Sequence, residues 1–248
     1  MSNVLFTICG RAGSKGCKNK NIREFLGKPL FEYTIKAIRE FNKIYNTNYQ
    51  ISVSTDSQEF IEMVEANHKD IFVINRSKKL AGDTVGKVEV IKDAAIRTEE
   101  NFGVKYDFVV DLDITSPIRT AKNIKDALDK AQDGSDYDCV FSVVKARRNP
   151  YFNMIKYENG VYSKVLHSNF ISRQQAPQMY DMNAYIYVYK RDYLLDPNTT
   201  SALQGKNGII EMFDTGIVDI DDAEDFDLME LIAIYMRGHY EEYKNILN

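Results

Sequence analysis

This 248-residue chain is short of cysteine, of histidine and of long apolar runs. Cys9, Cys17 and Cys139 are scattered, odd in number and form no Cys-x-x-Cys pair. That argues against a disulfide framework and a cysteine-built zinc site, and it fits a reducing compartment. His68, His167 and His239 are dispersed, so neither a histidine metal centre nor a Ser/His/Asp triad is indicated. His68 and His239 are expected at the surface. No stretch approaches the length of a membrane span. The run Val4 to Cys9, ahead of Arg11 and Lys15, is too short for a secretory signal core. A cytoplasmic protein with no membrane partner is the expectation. The net charge is −4 and no Lys/Arg block forms a stripe, so no polymeric nucleic acid is expected as partner. Internal repeats are also missing.

What the chain does have is alternation. Val4 to Ile8 reads as a strand, followed by a Gly- and Lys-rich loop from Gly10 to about Asn21. Gly27-Lys28-Pro29 then opens a helix, with Leu30, Phe31, Thr34, Ile35 and Ile38 at helical spacing and Pro29 suited to the first turn. Strands follow at Ile51–Ser54, Ile71–Ile74, Phe108–Leu112 and Cys139–Val144, separated by helices at Ser57–Ala66, Asp83–Arg97 and Thr120–Ala131. Near-continuous apolar strands alternating with helices predict a doubly wound, mostly parallel α/β sheet of the Rossmann-like kind. The chain turns more polar after Lys145. Residues 146–181, with a hairpin expected at Asn159-Gly160, read as a smaller lobe inserted in a single domain spanning 1–248. Tyr185–Tyr189 and Gly216–Ile220 return to strand character, and Asp222–Arg237 reads as a closing helix.

The segment Gly10-Arg11-Ala12-Gly13-Ser14-Lys15-Gly16 sits directly after the first strand. Its glycines free backbone N–H groups, and Arg11, Lys15, Lys18 and Lys20 crowd cations around them, which suits a polyphosphate. The loop is not a P-loop, because Ser14 rather than glycine precedes Lys15, and the glycine spacing does not match the dinucleotide fingerprint.

Two acidic pairs stand at predicted strand ends: Asp111-Leu112-Asp113 and Asp219-Ile220-Asp221. Residues i and i+2 of a strand share a face, so each pair can bring its oxygens together at the carboxyl edge, where open α/β sheets bind ligands. Clustered carboxylates repel unless a cation sits among them, and Mg²⁺ takes one or two carboxylates plus phosphate and water. Asp219 and Asp221 are the preferred metal ligands. The competing reading makes Asp221 or Asp222 a cap of the last helix.

The opening, Thr7 to Gly16 with Lys20-Asn21 and Gly27-Lys28-Pro29-Leu30, resembles that of the acylneuraminate cytidylyltransferases. These are the CMP-sialic acid synthetases and their relatives for legionaminic and pseudaminic acids. Arg11, Gly13, Ser14, Lys15, Gly16, Lys20 and Asn21 fill that family's first motif, with Gly10 in place of its alanine. Leu80-Ala81-Gly82-Asp83-Thr84, Thr115-Ser116-Pro117-Ile118-Arg119, Arg173-Gln174-Gln175 with Pro177 and Asn183-Ala184, and Asp219-Ile220-Asp221 match further motifs in order.

The resemblance implies a nucleotide-diphospho-sugar transferase fold and transfer of CMP from CTP to the anomeric hydroxyl of a nine-carbon keto-sugar acid, with release of pyrophosphate. It places Arg11, Ala12, Gly13, Ser14, Lys15, Lys20 and Asn21 around the CTP phosphates and ribose, and Asp83, Thr84 and Lys87 around the cytosine. Asp113, Thr115, Ser116, Arg119, Arg173, Gln174 and Asn183 would meet the sugar acid. Arg11, Lys15, Arg173, Asp219 and Asp221 would carry the catalysis, with Mg²⁺, or Mn²⁺ in its stead, on the two aspartates. A homodimer in which the small lobe reaches the partner's site is also implied. The family's glutamine before Thr-Ser-Pro is Asp113 here, and Asn149 to Met154 lacks a lysine that Lys145, Arg147 or Arg148 would replace. Both departures are reminiscent of the legionaminic-acid branch. No side chain stands out as a general base; Asp113 is a candidate. A transferase for Kdo, pseudaminate or a sugar phosphate, and an inactive nucleotide- or sugar-binding homologue, are the alternatives.

Overall fold

The first strand already carries the layering of the molecule. In a computed structural model, which describes residues 2–13, 16–82, 84–215 and 219–248, β1 (Asn3–Cys9) is buried from Val4 to Ile8. Val4, Phe6 and Ile8 face one core, while Leu5 faces a second. Alternating side chains feed two cores only when the sheet is covered on both sides. Each large apolar side chain buried this way contributes about 1.5–3 kcal/mol.

A short β2–β3 hairpin (Glu24–Phe25, Lys28–Pro29) precedes α1 (Leu30–Tyr45). Pro29 stands at the N-cap, one residue before the position expected for it. β4 (Asn48–Thr55), α2 (Gln58–Asn67, capped by Ser57) and β5 (Phe72–Asn75) follow. α3 (Lys87–Phe102) begins four positions after the expected start, because Gly86 at its N-cap is extended. β6 (Phe108–Asp111) leads to α4 (Ala121–Gln132), whose first turn is closed by a reciprocal Thr120–Asn123 cap. Then come β7 (Cys139–Lys145), β8 (Ile155–Glu158), β9 (Val161–Lys164), β10 (Tyr180–Lys190), α5 (Arg191–Leu195), β11 (Asn207–Glu211), α6 (Ala223–His239) and α7 (Glu241–Leu247).

The seven-stranded sheet runs β11-β7-β10-β6-β1-β4-β5. Pairs β1–β4, β1–β6, β4–β5 and β11–β7 are parallel, and β10 is antiparallel to both its neighbours. The sheet is thus mostly parallel, as expected. The chain winds from β1 out to β5 and returns to the other side of β1 at β6. That reversal opens a crevice at the carboxyl ends of β1 and β6. β11 was not anticipated. Residues 216–218 of the expected Gly216–Ile220 strand lie outside the described residues, and Asp219 and Ile220 are irregular.

Residues 146–179 leave the sheet between β7 and β10 and return where Ala146 N–H donates to Met179 O at 3.0 Å. They contain the separate β8–β9 hairpin, turned at Asn159 (φ 53°) and Gly160 (φ 80°), as the Asn-Gly pair predicts. His68 corrects an expectation. It is buried at 7% exposure, with Nε2 2.8 Å from Glu32 Oε1, because the end of α2 packs on α1.

Candidate active site

The loop after β1 is clamped to the acidic segment that precedes α6. Lys20 Nζ donates to Ile220 O. A Cβ on Gly16 would lie 2.2 Å from Asp221 O, so only glycine allows this approach. Asn21 Nδ2 donates to Arg11 O at 3.1 Å, and Ala12 N–H to Asp56 Oδ1 at 2.9 Å. Asn21 therefore shapes the loop with its own amide. The glycine at position 10 also finds a reason, since a Cβ there would lie 2.8 Å from Asn21 Nδ2 and from Ile114 Cδ1. Ser14, Lys15 and Asp83 lie outside the described residues; Gly13 and Thr84 are exposed.

Asp219 is half-buried and Asp221 exposed, at the mouth of the crevice. Asp222 caps α6 through Asp225 N–H at 2.9 Å, so the cap role falls to Asp222 and leaves the Asp219 and Asp221 carboxylates outside it. Ile220 N–H donates to Thr115 O at 3.1 Å, which pins the segment beside the β6 loop. Burial raises the Asp219 carboxyl above its ordinary range, Asp221 and Asp113 raise it further, and Lys20 opposes them. Among the described residues no group of three or more His, Cys, Asp or Glu side chains gathers. Two repelling carboxylates nevertheless suit a divalent cation that takes its remaining ligands from phosphate and water.

The other acidic pair already has a cation of its own, Lys87. Asp111 is fully buried; its Oδ1 accepts from Thr7 Oγ1 at 2.8 Å, and its Oδ2 lies 2.8 Å from Lys87 Nζ. Lys87 Nζ also donates to Asp113 Oδ2 at 2.7 Å. Lys87, expected with Asp83 and Thr84 around the cytosine, links both aspartates. Burial would raise the Asp113 carboxyl, but Lys87 and the Thr115 N–H and hydroxyl hold it at about 2. So weak a base does not suit proton abstraction near neutral pH.

Arg119, expected to meet the sugar, is fully buried. It donates to Ser116 O (Nε, 3.2 Å), Tyr185 O (Nη1, 3.0 Å) and Asp113 O. It shapes the β6–α4 loop from within. Ser116 is likewise buried, its hydroxyl donating to Asn183 O at 3.4 Å.

A cleft of about 230 Å³ opens at the junction of β7 and β10, lined by Arg147, Arg148, Asp181, Asn183, Asp214 and Thr215 among others. Asn183 Oδ1 accepts from Ser142 Oγ at 2.6 Å, whereas its buried Nδ2 has no hydrogen-bond partner among the described residues. An orphaned buried donor beside a cleft can take an acceptor from a ligand or from water. Arg147 pairs with Asp214 at 2.6 Å, and Arg173 Nη2 donates to Arg147 O at 2.8 Å. Arg173 thus reaches the wall of this cleft through Arg147, and Gln174 is exposed beside it in a 3₁₀ turn at residues 173–175. Sequence reasoning missed Arg76. It is buried just beyond β5, its Nη2 donating to Ser54 O at 2.6 Å, and no motif around it signals a cation at the carboxyl edge.

The chain is similar to known proteins over most of its length. A family model described as "Cytidylyltransferase" matches residues 5–240. The chain is 38% identical over 233 residues to the CMP-N,N'-diacetyllegionaminic acid synthase of Campylobacter jejuni, covering 94% of this chain and 95% of that protein. It shows the same identity and coverage with the post-translational flagellin modification protein B of Campylobacter coli. The N-acylneuraminate cytidylyltransferase of Escherichia coli is 27% identical across this whole chain, which spans 56% of that longer protein. Among solved structures, a CMP:2-keto-3-deoxy-manno-octonic acid synthetase complexed with CTP superposes with a TM-score of 0.63 at 13% identity. That match covers 96% of this chain and 100% of that one, and at such identity it supports the fold alone. With a family model spanning nearly its full length and relatives at 38% identity, the chain belongs to the cytidylyltransferase family.

Proposed function

We propose that the protein transfers CMP from CTP to the anomeric hydroxyl of a nine-carbon 2-keto sugar acid of the legionaminate or N-acylneuraminate type. The observation that carries this reading is the clamp between the cationic loop after β1 and the Asp219–Asp221 segment. It sets phosphate-binding groups beside two carboxylates with spare oxygens. The printed names of the relatives supply the acceptor class.

In the reaction, the anomeric oxygen bonds to the α-phosphorus, and the bond from that phosphorus to the bridging oxygen of the β-phosphate breaks. Pyrophosphate leaves and the hydroxyl proton passes to solvent. Catalysis rests on positioning and charge neutralisation. Arg11, the Gly13 backbone and Lys15 bind the triphosphate, and Lys20 fixes the loop against Ile220. Asp219 and Asp221 would hold Mg²⁺, or Mn²⁺, which when bound neutralises phosphate charge. The sugar acid takes the cleft at β7 and β10, where Asn183 Nδ2 donates to one of its oxygens and Arg147, with Arg173 behind it, offers positive charge. Thr115 and Arg119 act at one remove, by holding the loop between β6 and α4.

The protein works as a homodimer in the cytoplasm on this reading. Ile155, Tyr157, Val161 and Tyr162 of the β8–β9 hairpin are more than 60% exposed, an apolar face suited to a second copy. The described cysteines are all free, and no helix among the described residues is long and apolar enough to cross a membrane.

The test is pyrophosphate release from CTP and Mg²⁺ with N-acetylneuraminic or di-N-acetyllegionaminic acid. Release that depends on either acid supports the reading, and the faster acid names the branch. Folded protein that binds CTP but releases nothing with both acids overturns it.

A further inference from the structure

β10 does not follow β7 evenly. Met182 pairs with Val143 and Tyr187 with Phe141, so the four residues Asn183 to Ile186 stand opposite Ser142 alone. A bulge of this kind re-aims side chains, and bulges gather beside active sites. Here it carries Ala184 at φ 56°, a left-handed conformation that a non-glycine residue keeps only where surrounding contacts impose it. Those contacts are buried. The Ser116 hydroxyl donates to Asn183 O at 3.4 Å, and Arg119 Nη1 donates to Tyr185 O at 3.0 Å. Between them stands the hydroxyl of Ser142, a residue only 1% exposed. It accepts from Ile186 N–H at 3.0 Å and lies 2.6 Å from Asn183 Oδ1.

A serine hydroxyl has one proton to give. Ile186 N–H only donates, so that proton goes to Asn183, and a separation of 2.6 Å fits O–H···O rather than the longer N–H···O. The competing acceptor, Ile186 O, is 3.4 Å away. The Asn183 amide is thereby held with its oxygen on Ser142. Its Nδ2, which has no hydrogen-bond partner among the described residues, is left for the cleft that Asn183 helps to line. We propose that Ser142 is a positioning residue: it acts through Asn183, fixing the amide so that the cleft presents a donor and takes an acceptor oxygen of its ligand at that point. An amide left free would offer either end, since its oxygen and its NH₂ have nearly the same shape. Ser142 is sealed in the sheet and reaches a ligand only through Asn183. The inference rests on the sugar-acid reading of the cleft given above.

The test is a double-substitution cycle read by pyrophosphate release, with thermal melts reporting the fold separately. Ser142→Ala is expected to raise the KM for the sugar acid by about tenfold and to leave the KM for CTP within about twofold. Asn183→Ala should raise the sugar-acid KM by at least as much. Adding Ser142→Ala to Asn183→Ala should then raise it no further, because the path runs through the missing amide. Factors that multiply would mean a general loosening of the sheet and overturn the inference, as would an unchanged sugar-acid KM in either single variant. Asn183→Asp keeps an oxygen that accepts from Ser142, so it decides the direction of the amide even where Ser142→Ala fails to fold. It puts a carboxylate oxygen in place of the donor at the cleft, and the sugar-acid KM should rise by more than about tenfold with the melt preserved. Were Nδ2 turned toward Ser142 instead, the cleft would keep its oxygen and the KM would hardly move, which also overturns the inference. A wild type that folds and binds CTP but releases no pyrophosphate with either acid fails before any substitution is made. That outcome removes the sugar-acid reading and this inference with it, whereas multiplying factors in a working enzyme remove the inference alone.

Discussion

The two Asp-x-Asp pairs look alike as sequence and end in opposite states. Asp111 and Asp113 share one ammonium, and Asp111 is sealed beneath it. Asp219 and Asp221 have each other and the more distant charge of Lys20, which bonds to Ile220 O and not to either carboxylate. The first pair already holds a cation supplied by the protein, the Lys87 ammonium. The second carries repulsion that Lys20 only partly offsets, which suits the divalent cation proposed for it.

That contrast can be broken most severely at Asp219. Asp219→Ala should lower kcat by three orders of magnitude or more, about 4 kcal/mol of transition-state stabilisation, while the fold survives. Pyrophosphate release beside a circular-dichroism melt checks both halves, and near-normal turnover would remove Asp219 from the proposed metal site. At Asp111 the balance should invert. Asp111→Ala strips a sealed carboxylate from Thr7 and Lys87, and chemical denaturation should show a loss of about 3 kcal/mol. A loss below about 1 kcal/mol would mean that the cluster does not support the fold.

Gly16→Ala probes the clamp between loop and acidic segment. The new methyl collides with Asp221 O, so CTP affinity should drop by about tenfold in calorimetry with little change in global stability. Unaltered affinity would show that the clamp is not needed for the nucleotide.

Acid should reveal the pair that holds Lys87. The folded Asp113 carboxyl lies at about 2, below its ordinary value of 3.8. A depressed carboxyl stabilises the fold above its unfolded pKa, and that stability is lost as pH falls through the folded value. The contribution, about 2 kcal/mol, should be present above about pH 4 and gone near pH 2. Denaturation curves across that window should flatten in Asp113→Asn. The smallest effect belongs to the other pair. Asp219→Asn removes repulsion, so without metal its melting temperature should rise by a few degrees, and added Mg²⁺ should shift it less than it shifts the wild type.

Much of this was legible in residues. Val4 to Ile8 and Phe108 to Asp111 read as buried strands because both faces are apolar. The Asn159-Gly160 turn read itself through its left-handed backbone. β11 escaped notice because Asn207-Gly208 opens it and only Ile209 and Ile210 supply strand character. The antiparallel run of β10 has no local signal, since strand direction depends on where the chain re-enters the sheet after the 146–179 excursion. Arg119 and His68 read as surface or ligand groups because type and spacing say nothing of depth. One meets three carbonyls and the other Glu32 only once loops and helices have packed.

Local chemistry by itself determined the alternation of strands and helices, the phosphate-suited loop after β1 and the family to which the chain belongs, because these follow from periodicity and from short motifs in order. Only the tertiary structure decided which carboxylates share a lysine ammonium and which are left without one. Lys87 stands 24 and 26 positions from its two partners, and Lys20 lies 200 from Ile220, so charge balance at the crevice is set by distances that exist only when the sheet has closed.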